Sequence, residues 1–372
     1  MSDEQLGLTG AFFLWVYAIC CPIAGVVGDR FSKRILVVSS LILWSFVTIA
    51  TGLVRSGWQL LGLRAAMGVS ESLFLPTAIA LTASVFPAQL RSRALAILTT
   101  AQIAGTVVGS WFGGWMADHG IWRYAFFALG AVGMIYSIPY SFFLHHANQS
   151  TEKPRLLNQS TASGTELSSM ILKTPTFQVL CIVFPVFVFG LWLLYGWLPT
   201  FLHDKFALSQ SDAALDATLY LQSSTAIGLL GGGWLADKLL RVTRASRFYL
   251  MFASLILCAP CLHAIGSCEN QAQTRIAAAA FGIFSGLLMG NVFASAFEVV
   301  AVGNRATAVG MLNLSGGLVS GFATLLGGRW RAWLGIDRLL TFTGIAYLCA
   351  GALLLICILV FFRRDSQKHA VP

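Results

Sequence analysis

The sequence predicts an all-α membrane protein built from two related helical bundles. Three observations lead to this prediction: an apolar composition, eleven long apolar stretches, and a residue pattern that occurs twice. The 372 residues are 57% hydrophobic and only 10% charged, with a mean hydropathy of +0.76. Soluble domains carry about 25% charged residues. Much of this protein's surface must therefore contact lipid rather than water.

The basic net charge of +9 is explained by a bilayer, because Lys and Arg collect in cytoplasmic loops. Placing residues 28–34 inside puts sixteen Lys and Arg residues inside and seven outside, while Arg64 falls within a span. This orientation predicts an outer N-terminus, a cytoplasmic C-terminus and a location in the inner or plasma membrane. No basic stripe with interleaved aromatic residues is present, so we expect no nucleic-acid partner.

Each apolar stretch is long enough to cross a bilayer as a helix, which takes about 20 residues. The predicted spans are residues 7–27, 35–54, 59–85, 92–116, 122–144, 176–201, 213–236, 247–266, 275–299, 305–327 and 338–362. The longest polar stretch, residues 147–175, has the composition of a cytoplasmic linker. It divides an N-terminal bundle of five spans at residues 1–146 from a C-terminal bundle of six spans at residues 176–372.

A short motif closes one span in each half of the chain. Residues 25–34 read Gly-Val-Val-Gly-Asp-Arg-Phe-Ser-Lys-Arg, and a weaker copy at residues 233–241 contains Asp237. An Arg-Ala pair then opens a later span in each half, beginning at Arg93 and at Arg305. Because the features recur in the same order at similar spacing, the sequence predicts duplicated bundles.

The Gly-x-x-x-Asp-Arg-x-x-x-Arg loop at residues 25–34 resembles the signature of the major facilitator superfamily, and the resemblance covers essentially the whole chain. It implies twelve helices in two six-helix bundles, around a central cavity that opens alternately to each side. Eleven of these twelve spans are predicted here. Residues 1–146 are then expected to correspond to helices two to six, either because the start codon is placed too late or because the chain is a truncated relative.

The repeated motif is interpreted as a gate between the bundles. Asp29 lies just past a helix end, where it can pair with Arg30, with Arg34 or with the N-terminus of a helix in the opposite bundle. The alternative is a solvated, positively charged loop. The predicted gating residues are Gly25, Asp29, Arg30, Arg34, Arg93, Asp237, Glu298 and Arg305.

Two ionisable residues lie inside the third span. Arg64 and Glu71 are seven residues apart, which places them on one helix face at about 10 Å along the axis. Ionisable groups within a bilayer are costly and usually functional. The alternative is an ion pair that only holds helices together.

The order Arg64-x-x-x-Gly68-x-x-Glu71, followed by Pro76, resembles the anion:cation symporter branch and the spinster-like lipid exporters. The first resemblance implies that Arg64 attracts a substrate carboxylate and that Glu71 carries a coupling proton. Sugar-acid members commonly have Asn two residues after the proline, where this chain has Ala78. This difference weakens a sugar-acid assignment.

Other polar and aromatic residues within apolar helices can either line the cavity or bridge helices. These candidate substrate and proton residues are Gln102, Trp192, Tyr195, Gln222, Asn291 and Asn313. Two glycine ladders with small-xxx-small spacing are predicted to let helices pack closely. They are Gly105, Gly109 and Gly113 in one half, and Gly282, Gly286 and Gly290 in the other.

The sequence therefore predicts secondary active transport of a small organic anion, such as a sugar acid or carboxylate, driven by protons and carried out by a monomer. Alternatives are an exporter of lysolipid-like or amphipathic compounds, or a non-transporting sensor on the same fold. No phosphate loop, metal-ligand spacing or catalytic constellation occurs in the sequence. We therefore expect no enzyme activity, no cofactor and no bound metal.

Overall fold

The computed structural model describes residues 2–85, 88–147, 174–301 and 305–368. Eleven helices of at least 20 residues occur within these ranges. They are α1 (Asp3–Arg30), α2 (Lys33–Gly52), α3 (Gly57–Val85), α4 (Ala88–Asp118), α5 (Trp122–Ala147), α6 (Pro175–Phe206), α7 (Gln210–Leu239), α8 (Ser246–Ser267), α9 (Gln271–Val299), α10 (Arg305–Leu334) and α11 (Ile336–Cys357). A π-helical turn (Ile358–Phe362) and the short helix α12 (Arg363–Lys368) follow.

These helices coincide with the eleven predicted spans, and the predicted fold class is confirmed. Eight of them, α1, α2, α5, α6 and α8 to α11, contain a described segment that is long and apolar enough to cross a membrane. The other three, α3, α4 and α7, are 29, 31 and 30 residues long. Each of the three contains charged residues, such as Arg64 and Glu71 on α3, and each packs against another helix.

Several helices begin before the apolar stretch that predicted them, because polar residues cap their first turns. The Ser2 side chain accepts a hydrogen bond from the Gln5 amide, and the Gln5 side chain accepts one from Ser2. This capping box starts α1 at Asp3. Asn270 likewise accepts a hydrogen bond from the Ala272 amide and starts α9.

The two bundles repeat the same helix contacts. In the first bundle α1 packs on α3, and α2 packs on α3 and α5. In the second bundle α7 packs on α9, and α8 packs on α9 and α11. Helices α1 to α5 therefore correspond to α7 to α11, while α6 packs on α7, α10 and α11.

Two glycines show that the α1–α3 crossing and the α7–α9 crossing correspond residue by residue. A Cβ atom at Gly68 of α3 would lie 3.0 Å from the Tyr17 amide nitrogen of α1. A Cβ atom at Gly282 of α9 would lie 3.1 Å from the Thr225 amide nitrogen of α7. Each glycine also faces a carbonyl oxygen and a Cβ atom of the same partner helix. The two helix crossings are therefore structural copies of each other.

The predicted glycine ladders have different outcomes. The ladder on α9 packs against α7, since a Cβ atom at Gly290 would lie 2.9 Å from the Leu229 carbonyl oxygen. The ladder on α4 does not pack closely on the described helices, because Cβ atoms at Gly105, Gly109 and Gly113 would meet no described atom within 4 Å. The prediction was therefore wrong for α4, since small-residue spacing permits close packing but requires a helix opposite.

The seam between the bundles is formed by two helix pairs, α1 with α10 and α4 with α7. A Cβ atom at Gly7 would lie 2.5 Å from the Thr324 carbonyl oxygen of α10, and one at Gly114 would lie 2.6 Å from the Gln210 carbonyl oxygen of α7. Both close contacts lie toward the side that carries Asp3, which is the predicted extracellular side. We call this the outer side.

The close packing of α1 on α10 extends to the middle of α1, where a Cβ atom at Gly317 would lie 2.5 Å from the Ala18 Cβ atom. Farther from the outer side, Ile19 and Ile23 of α1 are 55% and 59% exposed. A Cβ atom at Gly310 near the start of α10 would meet none of the described atoms within 4 Å. The close contacts of the described seam therefore lie at the outer side and near the middle of α1.

Among the residues whose burial is described, the second bundle has the larger apolar core, with fully buried side chains such as Trp197, Phe248 and Tyr347. Its C-terminal end is tied to the start of α6, because Asp365 accepts hydrogen bonds from the Thr176 amide (3.0 Å) and hydroxyl (2.8 Å). Most of the predicted linker, residues 148–173, lies outside the described ranges.

Candidate functional site

Arg64 and Glu71 lie on either side of the point where α3 crosses α1 at Gly68. Both side chains are partly buried in the first bundle. The Nε atom of Arg64 is buried and has no hydrogen-bond partner among the described residues. Within the same ranges, no ion pair of 4.0 Å or less joins Arg64 to Glu71. A buried Nε atom that donates to no described residue is suited to an anion that arrives from outside the chain.

Tyr17 of α1 belongs to the same group of residues. Its hydroxyl lies near the Cys21 thiol and close enough to Glu71 to interact electrostatically with both. The sequence did not indicate Tyr17, because one tyrosine in an apolar span looks like a packing residue. The available signal was its spacing: Tyr17 precedes Asp29 by the same twelve residues that separate Thr225 from Asp237.

The second bundle carries a polar but uncharged group at the corresponding crossing. Thr225 of α7 corresponds to Tyr17, and Ser285, three residues after Gly282, corresponds to Glu71. The Thr225 and Ser285 hydroxyls are 3.4 Å apart. The Tyr195 side chain of α6 lies beside the Thr225 hydroxyl. The ionisable pair therefore belongs to the first bundle alone at this crossing.

The aromatic candidates of α6 lie beside this uncharged group. The rings of Trp192 and Tyr195 meet edge to face, with centroids 5.6 Å apart. Gln222 lies three residues before Thr225 on α7 and is partly buried. The structure thus brings Trp192, Tyr195 and Gln222 into one region of the second bundle.

The remaining polar candidates lie in two different environments. Gln102 of α4 and Asn313 of α10 are exposed, as expected for residues that face either an open cavity or lipid. Asn291 is only 1% exposed, and its amide donates to the Gly232 carbonyl oxygen of α7 at 3.3 Å. For Asn291 the structure therefore favours the bridging interpretation over cavity lining.

The gating residues of the second half are joined by an arginine that the motif did not indicate. Arg247, at the start of α8, binds Glu298 at 2.5 Å and Asp237 at 3.1 Å. Arg305 does not pair with Glu298; it donates to the Phe297 carbonyl oxygen at 3.3 Å. Proximity along the chain between Glu298 and Arg305 therefore does not predict the ion pair, because α8 supplies the nearer cation.

The gating residues of the first half are described less completely. Arg34 lies in the first turn of α2 and is partly exposed. Gly25, Asp29, Arg30 and Arg93 lie outside the residues whose side-chain positions are described.

The outer side of the seam is held by two acidic residues, one at each helix pair. Asp118 ends α4 and accepts hydrogen bonds from the amides of Gln210 (2.7 Å) and Ser211 (2.9 Å) and from the Ser211 hydroxyl (2.7 Å) of α7. The hydrogen bond from the Ser211 hydroxyl is the main cause that lowers the pKa of Asp118 below its ordinary value. The sequence did not indicate this contact, since Asp118 looks like a loop residue.

The second outer contact joins α1 to α10. Arg331 binds Asp3 of α1 at 3.2 Å and also pairs with Asp204 of α6. Its guanidinium lies over the Trp197 ring, 5.7 Å from the centroid. One arginine thus connects the first bundle to two helices of the second.

Comparison with known proteins places the chain in a family. A family model described as Major Facilitator Superfamily matches residues 1–324. The chain is 25% identical, over 64% of its length and 42% of the relative's, to a protein named "Probable anion transporter 4, chloroplastic" of Oryza sativa subsp. japonica. It is 24% identical, over 98% of its length and 86% of the relative's, to the "Hexuronate transporter" of Bacillus subtilis (strain 168).

The first relatives are longer than this chain, which spans about half of their length. Among solved structures, the fold is similar to a bacterial homolog of the human lysosomal transporter Spinster in an inward-facing and occupied conformation. The TM-score is 0.79 at 20% identity, and the match covers 100% of this chain and 91% of the other.

Proposed function

This chain belongs to the major facilitator superfamily, and from this premise we propose that it is a secondary active transporter of small organic anions. The observation that carries the proposal is the buried Arg64 Nε, which has no hydrogen-bond partner among the described residues. A buried cation is costly unless an anion compensates it. The substrate carboxylate supplies that anion when it binds.

The substrate class is also supported by the names of relatives. Proteins similar to this chain are named as transporters of anions, hexuronates and D-galactonate. All of these names fit a carboxylate or another small anion on Arg64. The hydroxyl and aromatic groups of Tyr17, Tyr195 and Trp192 are suited to contact the hydroxyl-rich part of such a molecule.

The position of Glu71 on the same face of α3 supports coupling to protons. An ionised Glu71 about 10 Å from Arg64 repels the substrate anion. Protonation of Glu71 removes this repulsion, so the proton and the anion favour each other's binding. Release to the other side then reverses both steps, which is the thermodynamic requirement for symport.

Alternating access uses the seam described above. In the present state the outer contacts of Asp118 and Arg331 are formed, so the cavity opens toward the predicted cytoplasmic side of the inner or plasma membrane. Opening to the outer side requires these contacts to break and an inner gate to form. The residues of the predicted motif, Gly25, Asp29, Arg30, Arg34, Arg93 and Arg305, belong to this inner gate. Arg247, Asp237 and Glu298 are already paired within the second bundle and are its part of the same gate.

The test is uptake of radiolabelled glucuronate, a hexuronate, into proteoliposomes that contain the purified protein and an imposed pH gradient. We expect uptake that a protonophore abolishes. Arg64→Ala should remove it, Arg64→Lys should retain part of it, and Arg329→Ala, an exposed arginine of α10, should leave it unchanged. Glu71→Gln should eliminate the response to the pH gradient while still permitting exchange of labelled for unlabelled glucuronate.

Other outcomes point to other functions. Flux of a lysolipid that persists in Arg64→Ala, with no glucuronate flux, would support an exporter of amphipathic compounds. Binding of glucuronate without flux in any gradient would support a sensor. Glucuronate uptake that remains fully proton-driven in Glu71→Gln would contradict the coupling role of Glu71.

A further inference from the structure

A groove of about 250 Å³ opens on the second bundle at the outer side, between the end of α8 and the start of α11. These helices pack within their own bundle and take no part in the seam. The groove is therefore separate from the Arg64 site. It is lined by His263, Ser267, Asp337, Arg338, Thr341 and Phe342.

The positive charge of this groove comes from Arg338 in the first turn of α11. Arg338 is exposed and takes part in no hydrogen bond or ion pair with the described residues. A cation in a first turn is disfavoured by the helix dipole, so helix stability does not explain its position. Across the groove the His263 ring lies 3.1 Å from the Thr341 hydroxyl, which fixes a second polar group beside it.

Asp337 does not neutralise Arg338. Its carboxylate lies against Gly335, where a Cβ atom would collide with the Asp337 Oδ1 atom. In this position it faces the N-terminus of α11, where a negative charge is favourable. Asp337 lines the same groove, but the described part of the chain contains no ion pair between Asp337 and Arg338, so the Arg338 guanidinium remains free to bind a phosphate.

An apolar track continues from the groove toward the middle of the bilayer. Phe342, Ile345 and Leu348 follow one another at three-residue spacing on α11 and are each between 43 and 54% exposed. Leu257 of α8 is also exposed, at 42%. From the outer helix ends toward the middle of the bilayer, this surface therefore presents first a cation and hydroxyl groups and then apolar side chains. A phospholipid is arranged in the same way, with its polar headgroup at the membrane surface and its apolar acyl chains at greater depth.

We propose that this groove binds an anionic phospholipid from the leaflet on the outer side. The headgroup phosphate binds Arg338 beside the polar pair of His263 and Thr341, and one acyl chain lies along Phe342 and Ile345. A basic side chain near the surface strengthens binding of an anionic lipid about fivefold. The bound lipid holds α8 and α11 together at the outer side.

The test is native mass spectrometry of the purified full-length protein titrated with dioleoylphosphatidylglycerol, with dioleoylphosphatidylcholine as the neutral lipid. We expect one phosphatidylglycerol molecule to bind more tightly than phosphatidylcholine. Arg338→Ala should weaken its binding about fivefold, and Arg338→Lys should retain most of it. Arg329→Ala is the matched control, because Arg329 is exposed on α10 near the same side, and it should bind as the wild type does.

Two further arms separate a lipid from a free anion. Phe342→Ser should weaken binding of phosphatidylglycerol, and soluble glycerol phosphate at the same concentration should not displace the lipid. If Arg338→Ala does not fold, Arg338→Gln replaces it, with folding checked by the melting temperature. Equal affinity of wild type and Arg338→Ala, an equal loss in Arg329→Ala, or displacement by glycerol phosphate would each overturn the proposal.

Discussion

The carboxylate of Asp118 accepts hydrogen bonds from both the hydroxyl and the main-chain N–H of Ser211, at 2.7 and 2.9 Å. The two residues belong to different bundles, and Ser211 lies in the first turn of α7. A negative charge is favourable at a helix N-terminus, where amide groups lack partners within the helix. This contact therefore stabilises the seam at its outer side, and opening that side must break it.

Removing the Asp118 carboxylate should loosen the first turn of α7. In Asp118→Ala we expect amide hydrogens at Gln210 and Ser211 to exchange about threefold to tenfold faster, because both donate to Asp118 and loss of a cap has effects of this size. Hydrogen exchange read by mass spectrometry measures this. Glu269→Ala is the control, since Glu269 is exposed beyond α8. Unchanged exchange in Asp118→Ala would show that the contact does not hold the turn.

The same contact should respond to acid. The pKa of Asp118 is lowered mainly by the Ser211 hydroxyl, so its contribution to closure is fully present above the ordinary aspartate pKa of about 3.9 and is lost as pH falls through the lower value. After correction for intrinsic exchange rates, wild type and Asp118→Ala should converge below about pH 4. A constant difference down to about pH 2 would exclude titration of Asp118 as the cause.

Arg331 should make a modest contribution to stability. Arg331→Gln removes the ion pairs with Asp3 and Asp204 and the contact with the Trp197 ring. Because both carboxylates are nearly half exposed, we expect the melting temperature to fall by only about 1–3 °C. Arg329→Gln, two residues away, should leave the melting temperature unchanged. A larger fall in Arg329→Gln would contradict the assignment.

Gly68 should tolerate no side chain, whereas Gly105 should tolerate a methyl group. A Cβ atom at Gly68 would lie 2.7 Å from the Phe13 carbonyl oxygen, and one at Gly105 would meet no atom of the described ranges within 4 Å. Gly68→Ala should therefore lower the free energy of unfolding by about 1–3 kcal/mol. Gly105→Ala should change it by less than about 0.5 kcal/mol. Thermal unfolding of both variants, with Gly282→Ala as the counterpart of Gly68→Ala, measures the difference.

The helices were predictable because hydropathy is a local property. Each apolar stretch had to form a helix to satisfy its main chain in lipid, and caps such as Ser2 explain the extra turns. Arg64 and Glu71 were also predictable, since a charge inside an apolar stretch stands out by itself. Tyr17 was not predictable in this way, because its role depends on which face of α1 meets α3.

The pairing of residues on different helices was the least predictable part of the site. Glu298 lies seven residues before Arg305, but its partner is Arg247 on another helix. The glycine ladders of α4 and α9 have equal spacing, and only the ladder on α9 meets a helix closely. Both outcomes depend on the rotation and tilt of whole helices, which single side chains do not determine.

The sequence by itself determined the membrane class, the number and order of the helices, the duplication and the charged pair on α3. These properties follow from hydropathy, charge and spacing along one chain. Only the tertiary structure decided that Gly68 and Gly282 make equivalent crossings, that Arg247 joins Asp237 to Glu298, and that Asp118 and Arg331 close the outer side. The reason is physical: each of these contacts joins residues on different helices, and their distance is set by how the helices pack.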